Sequence, residues 1–374
     1  MSIETTTYDI ATRDPIEGTT DQAATGIDLA RVEAFAMQVA VDQGAASNAV
    51  LAYLGDRLGI WRALVTGPEV ASEQLARHTG LAERYLREWL AAQASAGYVL
   101  YDAQTRAFTF PAEHALVLAD DDSPAAMAGS YETIAAVWAT VDRLAHGYAT
   151  GEGVAWHEHD SRLFSGVERF FRPLYRNSLL TEWLPQVPGL VERLEEGITV
   201  LDVGCGLGTA TVLMAEAFPS STFVGVDYHE ESVRRATEAA AEAGVSDRLT
   251  FEVNTTTSYE QRYDLICFFD TVHDLGDPVG ALAHARSKLA EGGRVVAVEP
   301  FASDELAEGT DPVALRWYTA SHSICMPNAL AQGGEALGAQ AGPKRTLEVF
   351  DDAGFGHVRH LASTAYNIVI EARD

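Results

Sequence analysis

The stretch VLDVGCGLGTA, residues 200–210, decides the fold. An apolar run of strand type ends in Asp202, and Gly204, Gly206 and Gly208 then alternate until a helical run opens near Thr209. Glycines spaced this way let the chain turn tightly at a strand end and let a ligand approach the backbone closely. Outward from it, strand-type runs alternate with helical ones. TVLDV (199–203), STFVGVDY (221–228), LTFEVN (249–254), YDLICFF (263–269) and GRVVAVEP (293–300) are the expected strands, and GHVRHL (356–361) and YNIVIEA (366–372) a closing hairpin. Five such units predict an α/β fold, a parallel sheet with helices on both faces and ligand sites beyond the strand C-termini.

Residues 28–185 read differently, as almost wholly helical and rich in Ala, Leu, Arg and Glu. Within them, SEQLARHTGLAERYLREWLAAQASAGYVLYDAQTRAFTFP (72–111) begins with a helix expected to be capped by Ser72. It turns at Thr79–Gly80 and resumes with Leu81, Tyr85, Leu86, Trp89 and Leu90 at helical spacing. Two short strand-type runs, YVLY and AFTF, follow, so the unit reads as a winged helix. A DNA-reading role would rest on Arg84 and Arg87. The charge balance favours the other role, a dimerisation and substrate-cover module with those arginines paired to nearby acids. With 54 acidic against 26 basic side chains and a formal charge of −28, bulk electrostatics opposes nucleic acid and anionic membranes.

The expected organisation is a polar, Thr-rich disordered tail over residues 1–27, the helical winged-helix domain over 28–185 and a ligand-binding catalytic domain over 186–374. No apolar run has transmembrane length, and the N-terminal segment lacks the basic and apolar parts of a secretory leader. Cys205, Cys267 and Cys325 show neither paired nor metal-ligand spacing, which suits the reducing cytoplasm. WHEHD (156–160) supplies an incomplete ligand set, so no metal is expected and the segment is placed at the surface or a pocket rim. The helices of residues 30–66 carry apolar surface that suits a homodimer.

Two ligand classes compete for the glycine loop. A dinucleotide pyrophosphate wants G-x-G-x-x-G and a helix N-terminus. Here the glycines are closer and Asp202 stands immediately before them, which disfavours an NAD-dependent oxidoreductase and suits a cationic amine or sulfonium. Asp227, ending the second strand, is placed to accept hydrogen bonds from both hydroxyls of a ribose.

Through LDVGCGLGT (201–209) and VGVDYHEESV (224–233) the chain resembles the class I S-adenosylmethionine-dependent methyltransferases. The winged helix, with GVERFFRPLY, FDTVHDLGDP, VEPFA and LGAQAG, is similar to an actinobacterial small-molecule group related to the O-methyltransferases. The resemblance implies a Rossmann-like seven-stranded sheet, S-adenosyl-L-methionine as cofactor, and a small aromatic or heteroaromatic acceptor of secondary metabolism. Oxygen is the first choice of methylated atom, nitrogen or carbon the next. It implies that Asp202, Gly204 and Gly206 cradle the methionine part, that Asp227 holds the ribose and that Tyr228 lies against the adenine. Asn254 and Thr255 would approach the adenine edge, and Phe269 and Asp270 the sulfonium. His273 takes the general-base position of a His-Asp pair with Asp274, and Glu299 orients its imidazole. Related enzymes commonly carry Trp after that pair, where this chain has Leu275. Phe171, Tyr175, Trp317, His322 and Met326, with Trp138 and Phe170, are expected to face the acceptor, and residues 320–330 to act as a lid. The alternative is a non-catalytic winged-helix regulatory or structural protein that keeps the cofactor fold.

Overall fold

The computed structural model describes residues 27–374 apart from Thr66, Pro68, Thr310 and Ala365. The expected tail therefore lies outside the described residues as far as position 26. The chain divides into two compact units, Met1–Ser47 and Asn48–Asp374. In the first, the described residues from Leu29 onward form the N-terminal part of the helix Leu29–Arg57. The second holds the winged helix and the sheet. No helix among the described residues is long and apolar enough to cross a membrane.

The winged helix is built from helices Ile60–Val65, Ser72–Thr79 and Glu83–Ser95, followed by antiparallel strands β1 (Leu100–Asp102) and β2 (Ala107–Thr109). Trp61, Leu75, Leu86, Trp89, Leu90 and Phe110 share one apolar cluster, and the Trp61 and Trp89 rings lie 4.6 Å apart. Gly80, at φ 72°, ends the second of these helices in the left-handed conformation, its N–H donating to the Ala76 carbonyl. Two details differ from expectation. Ser72 is the first helical residue rather than the cap, its hydroxyl donating to Glu83, while Gln74 Oε1 accepts from the Ala71 N–H at 2.8 Å. Tyr85 is exposed and stands off the apolar face.

Strands β3 (Thr199–Val203), β4 (Thr222–Asp227), β5 (Leu249–Val253), β6 (Tyr263–Phe269), β7 (Leu289–Pro300), β8 (His357–Ser363) and β9 (Asn367–Arg373) form one sheet in the order β5-β4-β3-β6-β7-β9-β8. The first five are parallel; β9 runs antiparallel to both β7 and β8. β7 begins four residues before the expected Gly293, with a register shift between Tyr263 and Leu265 where its added turn joins β6. Along the central strands the side chains alternate between two cores. Leu201, Val203, Ile266, Phe268 and Val295 enter one, and Val200, Leu265, Cys267, Val296 and Val298 the other. Both faces are covered, which is why these strands read as continuous apolar runs.

The chain leaves β3 for β4 and β5, then returns to β6 on the other flank of β3. This reversal opens a crevice beyond the C-terminal ends of β3 and β6. Two segments beside the sheet adopt the rare π-helical form, Tyr175–Trp183 and Ser321–Cys325. The first follows the helix Arg162–Leu174, whose last turn contains Pro173. With no N–H to donate, Pro173 disrupts regular α-helical bonding there, and the wider turns continue from it.

Candidate active site

The three loop glycines all have positive φ, at 75°, 54° and 78°, but for different reasons. A Cβ at Gly204 would fall 2.4 Å from Thr271 Cγ2, and one at Gly208 would fall 2.5 Å from the Phe251 ring. At Gly206 it would meet nothing within 4 Å. Gly204 and Gly208 thus serve close packing, whereas Gly206 opens onto free space. Its N–H donates to Asp227 Oδ2 at 3.0 Å, and the His229 N–H donates to Asp227 Oδ1 at 2.8 Å.

Asp202 is buried at the end of β3, where its Oδ2 accepts from Thr211 Oγ1 at 2.5 Å and its Oδ1 has no partner. Burial pushes its carboxyl up to about 7 and raises that of Asp227 as well. Asp270, immediately after β6, sits at φ 52°, a conformation uncommon outside glycine and typical of functional sites. Its carboxylate accepts from the Tyr175 hydroxyl at 3.1 Å and from Asn367 Nδ2 at 3.2 Å. Burial first, and then the charge of Glu299, pushes it up to about 8. Three carboxylates, Asp202 buried and Asp227 and Asp270 half-buried, surround this crevice with no Lys or Arg ion pair to any of them among the described residues. That donor set, the unpartnered Asp202 oxygen and the open face of Gly206 fit a ligand that carries positive charge and a ribose.

The neighbouring positions are less uniform. Tyr228 is half in solvent, and Phe164 packs 4.9 Å from the His229 ring. Asn254 and Thr255 follow β5 and are engaged with each other and with Ser258, the Thr255 N–H donating to Asn254 Oδ1 at 3.0 Å. Phe269 is buried, its ring 6.3 Å from Tyr175.

Beside the crevice stands an acid–base cluster. Glu299, near the end of β7, accepts from the backbone N–H groups of Thr271, Val272 and His273. Its Oε2 also lies 2.6 Å from His273 Nδ1. Those donors suit a carboxylate that only accepts, so Nδ1 carries the proton and Nε2 is the ring atom left to exchange one. Asp274 Oδ1 is 3.4 Å from Nε2, and the Cys325 thiol stands beside both residues. Burial opposes the imidazolium, but Asp274, Cys325 and Glu299 together outweigh it, and His273 titrates well above an ordinary imidazole. Burial also pushes the Cys325 thiol up to about 12. The donor atoms of His273, Asp274 and Cys325 lie within 4.8 Å of one another, a set with the chemistry to hold a divalent cation. In WHEHD no such convergence exists: Glu158 pairs with Arg143, Asp160 with Arg162, and His159 is buried while His157 is exposed.

Sequence reasoning passed over Thr211 and Cys325; the thiol had no spacing signal because it arrives from a π-helical segment. The following helix Met326–Ala331 and the loop after it are hooked onto the His273 turn. Asn328 Nδ2 donates to the Asp274 carbonyl at 3.1 Å, and the Gly338 N–H to the His273 carbonyl at 3.0 Å. Phe171 and Trp317 pack around Phe170 in one aromatic cluster, and Tyr175 stacks on Phe171 at 5.9 Å. Met326 is half-buried. His322 and Trp138 stand apart from this cluster: His322 is exposed with Nε2 2.6 Å from the Tyr148 hydroxyl, and Trp138 is exposed. Leu275 packs into the sheet core.

Comparison with known proteins agrees with this architecture. Residues 194–354 match a methyltransferase domain family, and residues 46–120 match the Rv2258c-like winged HTH domain. Among solved structures, a putative O-methyltransferase from Nostoc punctiforme superposes with a TM-score of 0.69 at 20% identity, covering 94% of this chain and 100% of that one. Human N-acetylserotonin methyltransferase, solved in complex with S-adenosylmethionine, gives 0.67 at 15% identity over 94% and 99%. At these identities the likeness is one of fold. Ubiquinone biosynthesis O-methyltransferase of Leptothrix cholodnii is 32% identical over 130 residues, 34% of this chain and 52% of that protein. The chain spans between about a quarter and a half of the first curated relatives it matches. It thus carries the class I methyltransferase fold behind a winged helix, as the sequence implied.

Proposed function

We propose that this chain, a methyltransferase domain behind a winged helix, transfers a methyl group from S-adenosyl-L-methionine to a small aromatic or heteroaromatic acceptor, at oxygen first, with His273 as general base. The observation that carries the proposal is the buried His273–Glu299 pair at the sheet's C-terminal edge, beside a crevice of unpaired carboxylates. When bound, S-adenosylmethionine supplies an electrophilic methyl group on a positively charged sulfur. Asp227 takes the ribose hydroxyls, Gly206 makes room for the methionine part and the free oxygen of Asp202 receives its ammonium. Tyr228, Asn254 and Thr255 border the adenine, and Phe269 and Asp270 stand by the sulfur. His273 Nε2 takes the acceptor's proton while Glu299 stabilises the imidazolium that results. Phe171, Tyr175, Trp317 and Met326 shape the acceptor side, under the lid of residues 320–330.

The winged helix, within residues 28–185, serves dimerisation and substrate cover. Its two candidate DNA-reading cations are occupied along their own helix, Arg84 by Glu88 and Arg87 by Glu83. Exposed Val32, Phe35, Met37 and Val41 on the helix Leu29–Arg57 suit a homodimer. The chain's three cysteines, Cys205, Cys267 and Cys325, are unpaired, which suits the reducing cytoplasm.

Incubation of methyl-labelled S-adenosylmethionine with a panel of hydroxylated aromatics tests the activity. Failure to label any of them, with the cofactor demonstrably bound, would favour the regulatory alternative. Cofactor binding itself carries a proton signature. In the ligand-free protein Asp202 and Asp270 titrate at about 7 and about 8, so both are partly protonated near pH 7.5. A nearby positive charge favours the carboxylate form, lowers both values and drives protons off. Calorimetry in buffers of unequal ionisation enthalpy should therefore show net proton release, larger for S-adenosylmethionine than for S-adenosylhomocysteine, which lacks the sulfonium charge. Equal release by the two would remove Asp270 from the sulfur's side.

A further inference from the structure

Nearly every cation withdrawn from solvent in this chain is neutralised. Among the described residues, each buried or half-buried arginine or lysine has a carboxylate partner: Arg162, Arg169, Arg172, Arg193, Arg248, Arg286, Lys288, Arg294 and Arg373. Arg316 is the exception. It is half-buried on the helix Pro312–Ala320, where one guanidinium nitrogen donates to Ser130 Oγ at 2.7 Å and Cζ lies 4.0 Å over the Phe170 ring. Burial lowers its affinity for the proton, and the titratable groups facing it are the phenols of Tyr131 and Tyr366, not carboxylates. In a chain with 54 acids and 26 bases, an unpaired half-buried cation is not a shortage of partners.

A guanidinium has five N–H donors in a fork that matches a carboxylate. One hydrogen bond to Ser130 and a ring face leave most of that capacity unused. The ring beneath it belongs to the aromatic cluster described above: Phe170 meets Phe171 at 4.9 Å and Trp317 at 6.4 Å. Cys325, whose Sγ lies within 4.8 Å of a His273 ring nitrogen, is a member of the same cluster. Arg316 and Cys325 are nine residues apart on continuous helix, about 13 Å at 1.5 Å per residue and somewhat less through the π-helical turn. An acid held at Arg316 would reach the Cys325 end as an extended aromatic with its hydroxyl opposite the carboxylate.

We propose that Arg316 anchors the acceptor by its carboxylate, so that the substrate class is a hydroxylated aromatic acid lying along Phe170 and Trp317 with its hydroxyl at the His273 end. The inference rests on the methyltransferase reading of the site, and its test is separate from turnover. Protein saturated with S-adenosylhomocysteine is titrated calorimetrically with 4-hydroxybenzoate and 6-hydroxy-2-naphthoate, and with the carboxamide of each. At least one acid should bind about 10- to 100-fold more tightly than its amide, as a charged bidentate contact withdrawn from water implies. Arg316→Gln should abolish that preference by weakening the acid alone, and Arg316→Lys should restore part of it. Unchanged S-adenosylhomocysteine affinity shows that the variants are folded. Equal affinity of acid and amide for the wild type, a preference that survives in Arg316→Gln, or no binding of either acid overturns the inference. If S-adenosylhomocysteine itself fails to bind, it is the underlying cofactor assignment that falls.

Discussion

His273→Ala is expected to lower kcat by about 10²- to 10⁴-fold, the range a positioned general base contributes, while S-adenosylhomocysteine affinity stays nearly constant. The ring is held on one side by Glu299 at 2.6 Å and faces Asp274 and Cys325 on the other, and no cofactor-facing carboxylate depends on it for a hydrogen bond. The loss should therefore fall on kcat rather than on cofactor binding. The pH profile adds a signature that a structural histidine would not give. Burial disfavours the imidazolium, but Asp274, Cys325 and Glu299 outweigh it and hold the His273 pKa well above its ordinary value. A base works only when unprotonated, so the wild-type rate should climb with pH through that raised pKa, on the alkaline side of an ordinary imidazole near 6.5. His273→Ala should lack this limb. Asp274→Asn removes one of the charges that raises it and should move the limb to lower pH. Wild-type kcat in His273→Ala across that range would mean that the acceptor is an already nucleophilic nitrogen or carbon, and the oxygen assignment would fail.

The parallel strands were legible because a strand covered on both faces is apolar throughout, and TVLDV, YDLICFF and GRVVAVEP are such runs. Their ends then place Asp202, Asp227, Asp270 and Glu299 along one edge with no further information. The pairing of His273 with Glu299 could be anticipated for the same reason, since both stand at the ends of neighbouring parallel strands. The acceptor side was harder. A π-helix repeats with wider turns than an α-helix, so spacing rules misplace side chains within Ser321–Cys325: His322 turns out to solvent and Cys325 turns in toward His273. The roles of the three glycines were equally hidden, because what separates Gly206 from Gly204 and Gly208 is whether Thr271 or Phe251, distant in sequence, occupies the space beside it. Arg316 is the extreme case. Its distinction is a missing carboxylate, and an absence in space leaves no motif.

Asp227→Ala should weaken S-adenosylmethionine binding by about 2–4 kcal/mol, roughly 30- to 1000-fold, if the carboxylate accepts both ribose hydroxyls. Each of its oxygens already takes one backbone N–H, from Gly206 at 3.0 Å and from His229 at 2.8 Å, which leaves one lone pair per oxygen for the diol. The same two bonds fix the carboxylate between the glycine loop and the end of β4, so the acceptor geometry is set before any ligand arrives. The residue's cost to the ligand-free protein points the same way. Burial raises the Asp227 pKa more than its backbone donors lower it. The folded protein then binds this proton more tightly than the unfolded chain, and stability falls as pH rises from the unfolded pKa through the folded one. Asp227→Ala removes that penalty, so above this window the apo variant should melt no lower than its two lost backbone bonds dictate. Its thermal shift on adding S-adenosylhomocysteine should nevertheless shrink sharply. Asp227→Asn separates the two roles, because an amide keeps one acceptor for Gly206 or for a hydroxyl but not for the full set. Calorimetric titration of both variants reads the difference directly. If folded Asp227→Ala binds S-adenosylhomocysteine with wild-type affinity, the carboxylate is the loop's anchor alone, and the ribose must be held elsewhere.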